Sequence, residues 1–201
     1  LVGSDGETHQ GIFDMSFLSA MPNMTIIAPS GIKELKEAMK FAEHFDGPIA
    51  IRFARGVAFP EIKEDINLQY GKGQILKDGN NAGGNVAIIA VGSMVEETYK
   101  AIDMLEKENV HPAFVNPVFI KPMDTELIKR VAENYKHIIV VEEGIKKGGF
   151  GESVETFILE SGIDADVQVM AIDDRFVEQG NVALLREEIG ISYKNIYEKV
   201  M

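Results

Sequence analysis

The 201-residue sequence contains no cysteine. That excludes a disulfide framework, a thiolate metal site and a cysteine nucleophile, and it makes a reducing cytoplasm the natural expectation. Basic residues are scarce: 20 Lys and Arg stand against 32 Asp and Glu, for a net charge of −12. A surface of that sign repels nucleic acid and anionic membranes, so neither is expected as a partner. A local basic pocket for a phosphorylated metabolite stays open. No apolar run reaches the length of a membrane-spanning helix, and no secretory signal, internal repeat or low-complexity segment is visible. What is present suits a globular fold. The hydrophobic fraction is 45%, and the length allows one large domain or two small ones. The chain opens on Leu1, and Leu1–Val2 read as the end of a strand already under way. The expectation is a fragment whose N-terminal part precedes it.

Apolar β-rich runs alternate with helical patterns. Met24–Ala28 ("MTIIA") reads as a short buried strand. A helix follows in which Ile32, Leu35, Met39 and Ala42 recur at helical spacing, with Ser30 able to cap it. Pro48–Phe53 ("PIAIRF") is the next strand. From Gly56 to Gly84 the pattern dissolves into an acidic patch and a glycine-rich turn. This stretch is predicted to be a linker ending in a hairpin, with Gln74–Lys77 as one arm and Asn85–Val91 as the other. A cleaner series then begins, in which "VAIIAV" is a strand. Ser93 and Glu96 form a capping-box pattern before a helix lined by Val95, Thr98, Ile102 and Leu105. "PAFVNP", "HIIVVE" and "VQVMAI" are further strands. The helices between and after them start at Asp124 (with Leu127, Ile128, Val131 and Tyr135), run around Val154, Phe157 and Ile158, and span about 181–189. Continuous apolar strands alternating with helices predict an α/β domain with a mainly parallel sheet covered on both faces. The division is 1–56, 57–84 as linker and hairpin, and 85–201. Residues 1–55 carry too few strands for a sheet of their own, so they are expected to be mobile or to pair with another copy, whereas 86–201 should fold alone.

Three stretches carry candidate chemistry. "SDGETHQG" (Ser4–Gly11) surrounds His9 with Asp5, Glu7 and Thr8. It reads as a solvent-exposed capped loop, as a weak metal site from Asp5, Glu7 and His9, or as a catalytic loop in which His9 transfers protons near neutrality. "RFARG" puts Arg52 and Arg55 at the end of a strand, where open α/β sheets bind ligands and a guanidinium fits phosphate. Strand alternation faces the two opposite ways, so at most one enters a given pocket. The stretch from Glu142 to Ser153 joins a strand to a helix through glycines. It could cradle a phosphate, but it lacks P-loop spacing, and close packing of a helix start is the stronger reading. His44, His111 and His137 stand singly and read as surface or structural. Met15, Met21 and Met24 read as core.

Taken in order, "DGETHQGIFDMSFL" (Asp5–Leu18), "MPNMTIIAPSGIKEL" (Met21–Leu35) and "GPIAIRFARG" (Gly47–Gly56) resemble the transketolase-like family of thiamine-diphosphate enzymes. The string Asp-Gly-x-Thr-His-Gln-Gly-x-Phe-Asp points to its synthase branch, which condenses pyruvate with glyceraldehyde 3-phosphate, releases carbon dioxide and feeds isoprenoid and thiamine synthesis. The resemblance implies part of a pyrimidine-binding domain followed by a complete transketolase-type C-terminal domain, in a homodimer that uses thiamine diphosphate and Mg2+. It implies His9 as the active-site histidine, Asp5 as the group that positions substrate hydroxyls, and Arg55 as the holder of the aldehyde's phosphate. The family's Gly-Asp-Gly…Asn segment for the metal and diphosphate has no match here. "SDG" at Ser4–Gly6 is not followed by that Asn. No cofactor-binding or metal residue is therefore assigned, and the chain by itself is expected to be inactive and to bind no cofactor. A transketolase, a 2-oxoacid dehydrogenase β chain and a non-catalytic α/β dimerisation module remain the alternatives.

Overall fold

The structure is a computed structural model that describes residues 1–56, 68–79 and 85–201. The acidic patch and most of the glycine-rich turn assigned to the linker lie outside the described residues. Among those described, the strands form two sheets. The larger contains β3 (Gln74–Lys77), β4 (Val86–Ala90), β5 (Ala113–Asn116), β7 (His137–Ile145) and β8 (Asp166–Ile172), in the order β3-β5-β4-β7-β8. β5, β4, β7 and β8 run parallel, and β3 is antiparallel at one edge. The expected hairpin between β3 and β4 is therefore not formed, because β5 lies between them. β4 is buried throughout and parallel to both neighbours, so the half-buried β3 is left with the edge.

The helices lie on both faces of this sheet, and β4 shows why. Ala87, Ile89 and Val91 pack into a cluster with α4 (Thr125–Asn134) and α5 (Phe150–Glu160). Val86, Ile88 and Ala90 face the other way, against α3 (Met94–Lys107) and α7 (Tyr193–Val200). Each large apolar side chain fully buried in these layers contributes roughly 1.5–3 kcal/mol. Val95, Thr98, Ile102 and Leu105 are all buried, as their spacing predicts. Asp124 caps α4 by accepting the Leu127 N–H at 3.1 Å. Ser93 makes no capping bond: its hydroxyl donates to Glu143 at 3.3 Å, and Glu96 pairs with Lys100. The helix expected near 181–189 is α6 (Val182–Glu188).

The smaller sheet corrects the expectation for residues 1–55. β1 (Thr25–Ile27) pairs in parallel with β2 (Ile49–Ile51) and antiparallel with β6 (Phe119–Lys121). β6 is a three-residue strand contributed by the C-terminal half, so the first 55 residues do have a sheet partner. The chain crosses between sheets at Val118, which has a left-handed backbone (φ 57°) and donates its N–H to the Asn116 side chain at 3.1 Å. Asn116 also donates to Glu34 at 3.1 Å, and Ser30 donates to the same carboxylate from its N–H and its hydroxyl. That buried carboxylate turns α2 (Ile32–His44), so that Glu34 and Ala38 face inward while Ile32 and Met39 are 42% and 57% exposed. Ser30 thus serves Glu34, and Gly31 occupies the cap position without a side-chain bond. Of the three methionines read as core, Met15 on α1 (Asp14–Ser19) is buried and Met24 packs against the same cluster, but Met21 is exposed.

Candidate active site

The loop carrying His9 is held at both ends. A 3-10 turn spans Gly3–Asp5, and Gly6 follows with φ 72°, a left-handed conformation that suits glycine. The N–H groups of His9 and Gln10 both donate to the Gly6 carbonyl, at 3.0 and 3.1 Å. Gln10 is buried and staples the loop, accepting from Val2 N–H at 2.7 Å and donating to the Glu178 carbonyl at 3.1 Å. Gly180 N–H donates to the Gly3 carbonyl at 3.2 Å. Between these anchors Asp5, Glu7, Thr8 and His9 are exposed, and His9 Nδ1 lies 2.9 Å from the Thr8 hydroxyl. Asp5, Glu7 and His9 do not assemble a metal site: among the described residues no group of three His, Cys, Asp or Glu side chains is placed to hold an ion.

The two arginines lie beyond β2, which ends at Ile51, so strand alternation does not set their directions; they differ in exposure. Arg55 is 62% exposed and pairs with Asp5. Sequence positions 50 residues apart are thereby brought together on the loop that carries His9. Arg52 is 10% exposed and fully engaged, with Asp14, the Gly11 carbonyl and the Glu143 carbonyl as its partners.

Beneath the loop lies a buried acidic pair that the sequence reading did not single out. Its signal was two adjacent glutamates closing an otherwise apolar strand. Glu142 accepts the N–H groups of Phe150 and Gly151, each at 2.9 Å. Burial pushes its carboxyl up to about 7, against the pull of those two amides and of Arg52. The glycines of this turn are required by packing. A Cβ on Gly149 would come within 2.6 Å of the Glu142 carboxylate, and one on Gly151 within 2.4 Å of Val169. The Phe150 and Gly151 amides are therefore spent on Glu142 and not on a phosphate, and the helix-packing reading of this stretch holds. Glu143 is buried too and accepts from Arg186 Nε at 2.7 Å.

A groove of about 490 Å³ opens at the carboxyl ends of β2 and β4. Arg55, Phe53, the start of α2 and Arg186 line it. The position at the carboxyl ends of parallel strands is where open α/β sheets bind ligands.

Two family models match the chain. The transketolase pyrimidine-binding domain covers residues 1–59, and the transketolase C-terminal domain covers residues 71–196. With nearly two-thirds of its length inside the second, the chain belongs to the transketolase family. Among curated proteins it is similar to 1-deoxy-D-xylulose-5-phosphate synthases. It is 41% identical over 201 residues to that of Alkaliphilus oremlandii, covering 100% of this chain and 32% of that protein. It is 40% identical over 198 residues to that of Clostridium perfringens, covering 98% and 31%. The chain thus spans about a third of the length of these relatives. Among solved structures, a split-gene transketolase described as an inactive β4 tetramer superposes with a TM-score of 0.84 at 28% identity, over 96% of this chain and 61% of that one. A transketolase from Campylobacter jejuni shares the fold, with a TM-score of 0.69 at 22% identity, over 99% and 29%.

Proposed function

We propose that this chain carries the acceptor side of the active site of a thiamine-diphosphate-dependent synthase, which condenses pyruvate with glyceraldehyde 3-phosphate to 1-deoxy-D-xylulose 5-phosphate and releases carbon dioxide. The observation that carries the reading is the meeting of Asp5 and Arg55 on the His9 loop, in a chain that is about 40% identical to such synthases throughout its length. The Asp5–Arg55 pair is exposed, so holding it closed contributes little to stability. A phosphate dianion can displace the carboxylate from Arg55 with small loss and gain a charge-assisted, bidentate contact. Asp5 is then free to accept hydrogen bonds from substrate hydroxyls. His9, exposed on the same loop, is the group able to hold or deliver a proton near neutral pH.

Thiamine diphosphate, together with Mg2+, would supply the carbanion chemistry of such enzymes. The described residues do not fit the diphosphate–metal end of the cofactor. Asp5 is the acidic residue of the Ser4–Gly6 turn, and among the described residues no cluster of metal-ligating side chains accompanies it. In this reading the cofactor is held by residues other than these, and the chain by itself does not turn over. The split-gene neighbour described as inactive supports that part. A homodimer is part of the same proposal and is supported by the exposed Ile32, Met39 and Phe53. A cytoplasmic location also belongs to it. No helix among the described residues is long and apolar enough to cross a membrane.

The test is an assay of the complete enzyme with pyruvate, glyceraldehyde 3-phosphate, thiamine diphosphate and Mg2+, following carbon dioxide and the phosphorylated ketose. Both products should appear together. Transfer of a two-carbon unit from a ketose phosphate, without decarboxylation of pyruvate, would replace the synthase reading with a transketolase. For the isolated chain, calorimetric titration with thiamine diphosphate and Mg2+ should show no tight binding. A low-micromolar dissociation constant would sink that part.

A further inference from the structure

Arg52 lies within hydrogen-bonding reach of three residues on two separate segments. Its Nε reaches both carboxylate oxygens of Asp14, the first residue of α1, at 3.1 and 3.2 Å. Its Nη2 donates to the Gly11 carbonyl at 2.9 Å and to the Glu143 carbonyl at 2.6 Å. Asp14 also accepts the Met15 N–H at 2.8 Å in the first turn of α1. The side chain comes from the end of β2 and is almost wholly buried. A planar fork serves these acceptors at once, whereas an ammonium is a point charge on a flexible stem.

What Arg52 joins is the C-terminal end of the His9 loop to the end of β7. A second contact runs beside it: Ile145 N–H donates to the Ile12 carbonyl at 2.9 Å. Gly144 lies against the same seam: a Cβ there would come within 2.6 Å of Met15 Cε and 3.5 Å of the Ile12 carbonyl. The other end of the loop is fixed at Gly3 by Gly180. Asp5 and His9 lie between the two fixed ends, and Asp5 pairs with Arg55, which lines the groove.

We propose that Arg52 is a positioning residue for the reaction. By clamping Gly11 and Asp14 to β7 it fixes the placement of His9 relative to Arg55, and turnover depends on that clamp although Arg52 never touches substrate. This rests on the proposed role of His9 in proton transfer. Misplacing a reacting group by about 1 Å can cost roughly 100-fold in rate. The cost should therefore fall on kcat, while phosphate binding by Arg55 persists.

The experiment uses Arg52→Lys, which keeps the charge and loses the fork, alongside Arg52→Ala. In the 201-residue chain, amide exchange at Met15 and Ile145 should accelerate by about tenfold or more in Arg52→Lys, with Ile88 and Ile89 of the central strand unchanged. In the complete enzyme the same variant should lower kcat by roughly 10- to 100-fold, with KM for glyceraldehyde 3-phosphate within about threefold of the parent. Unchanged exchange at Met15 and Ile145 overturns the clamp. Accelerated exchange with normal kcat overturns its link to the reaction. If the parent enzyme does not act on pyruvate and glyceraldehyde 3-phosphate, the functional reading fails, while the exchange experiment still decides whether Arg52 holds the loop. Arg52→Lys keeps the question open to measurement even if Arg52→Ala fails to fold.

Discussion

Arg52 and Arg55 differ in what surrounds them more than in what they are. One is locked among three acceptors, and the other is exposed with a single exchangeable partner. Strand alternation alone would make Arg52→Ala a neutral control for Arg55→Ala. The structure makes it a disruptive substitution, because it leaves the Asp14 carboxylate and two carbonyls without their donor. Arg55→Ala should barely change stability, since exposed ion pairs contribute little. In the complete enzyme it should raise KM for glyceraldehyde 3-phosphate by roughly 10- to 150-fold, the loss of a charge-assisted contact of about 1.5–3 kcal/mol. The pyruvate KM should move less. His9→Ala should lower kcat by roughly 10²- to 10⁴-fold. Steady-state kinetics on both variants checks the pair, and near-normal kcat in His9→Ala would return the loop to a plain exposed turn.

The turn between β7 and α5 is built around Glu142. Its carboxyl titrates near 7 in the folded chain against an ordinary value of 4.5. A raised carboxyl binds its proton more tightly when folded, so the stability it contributes is fully present below about 4.5 and is lost as pH rises through about 7. The loss is on the order of 3 kcal/mol. Urea midpoints between pH 5 and 7.5 should fall with rising pH, and Glu142→Gln should flatten that slope; an unchanged slope would assign it to other groups. At α4, Asp124 accepts from Leu127 N–H, from Gly73 N–H and from Lys72, tying the helix start to the segment before β3. Asp124→Ala should cost about 2 kcal/mol, one cap plus one stranded amide, measured as a shift in urea midpoint.

Across the whole molecule, the first 55 residues and the C-terminal sheet share a core. Met15, Ile26 and Ala28 pack in the same cluster as Ile89, Val140 and Phe150. β6 completes the smaller sheet from the far side of the chain. Ile26 and Ile27 are wholly buried, so their amides should exchange within about tenfold of those of β4. Unfolding followed by backbone dichroism and by tyrosine fluorescence should give coincident transitions. A separate early transition in the first half would restore the expectation of a mobile segment.

Local pattern by itself determined the α/β class, the parallel sheet, the strands at β4, β5, β7 and β8, and the faces of α3 and α4. Those depend on apolar periodicity and on caps such as Asp124, which are written within a few residues of one another. The loop around His9 was legible for the same reason, but the contrast between Arg52 and Arg55 was not, because β2 ends at Ile51 before either. Tertiary structure alone decided the rest. β6 has three residues and no period, and it is a strand only because β1 lies beside it. β3 takes the edge because β5 occupies the place next to β4. Glu34 turns α2 away from its apolar spacing because a buried carboxylate must follow its hydrogen-bond partners, Ser30 and Asn116, and Asn116 lies on the other sheet. The pairing of Asp5 with Arg55 and the clamp at Arg52 join residues about 40 to 90 positions apart. Contacts over such separations are made by the packing of whole elements, which no local pattern encodes.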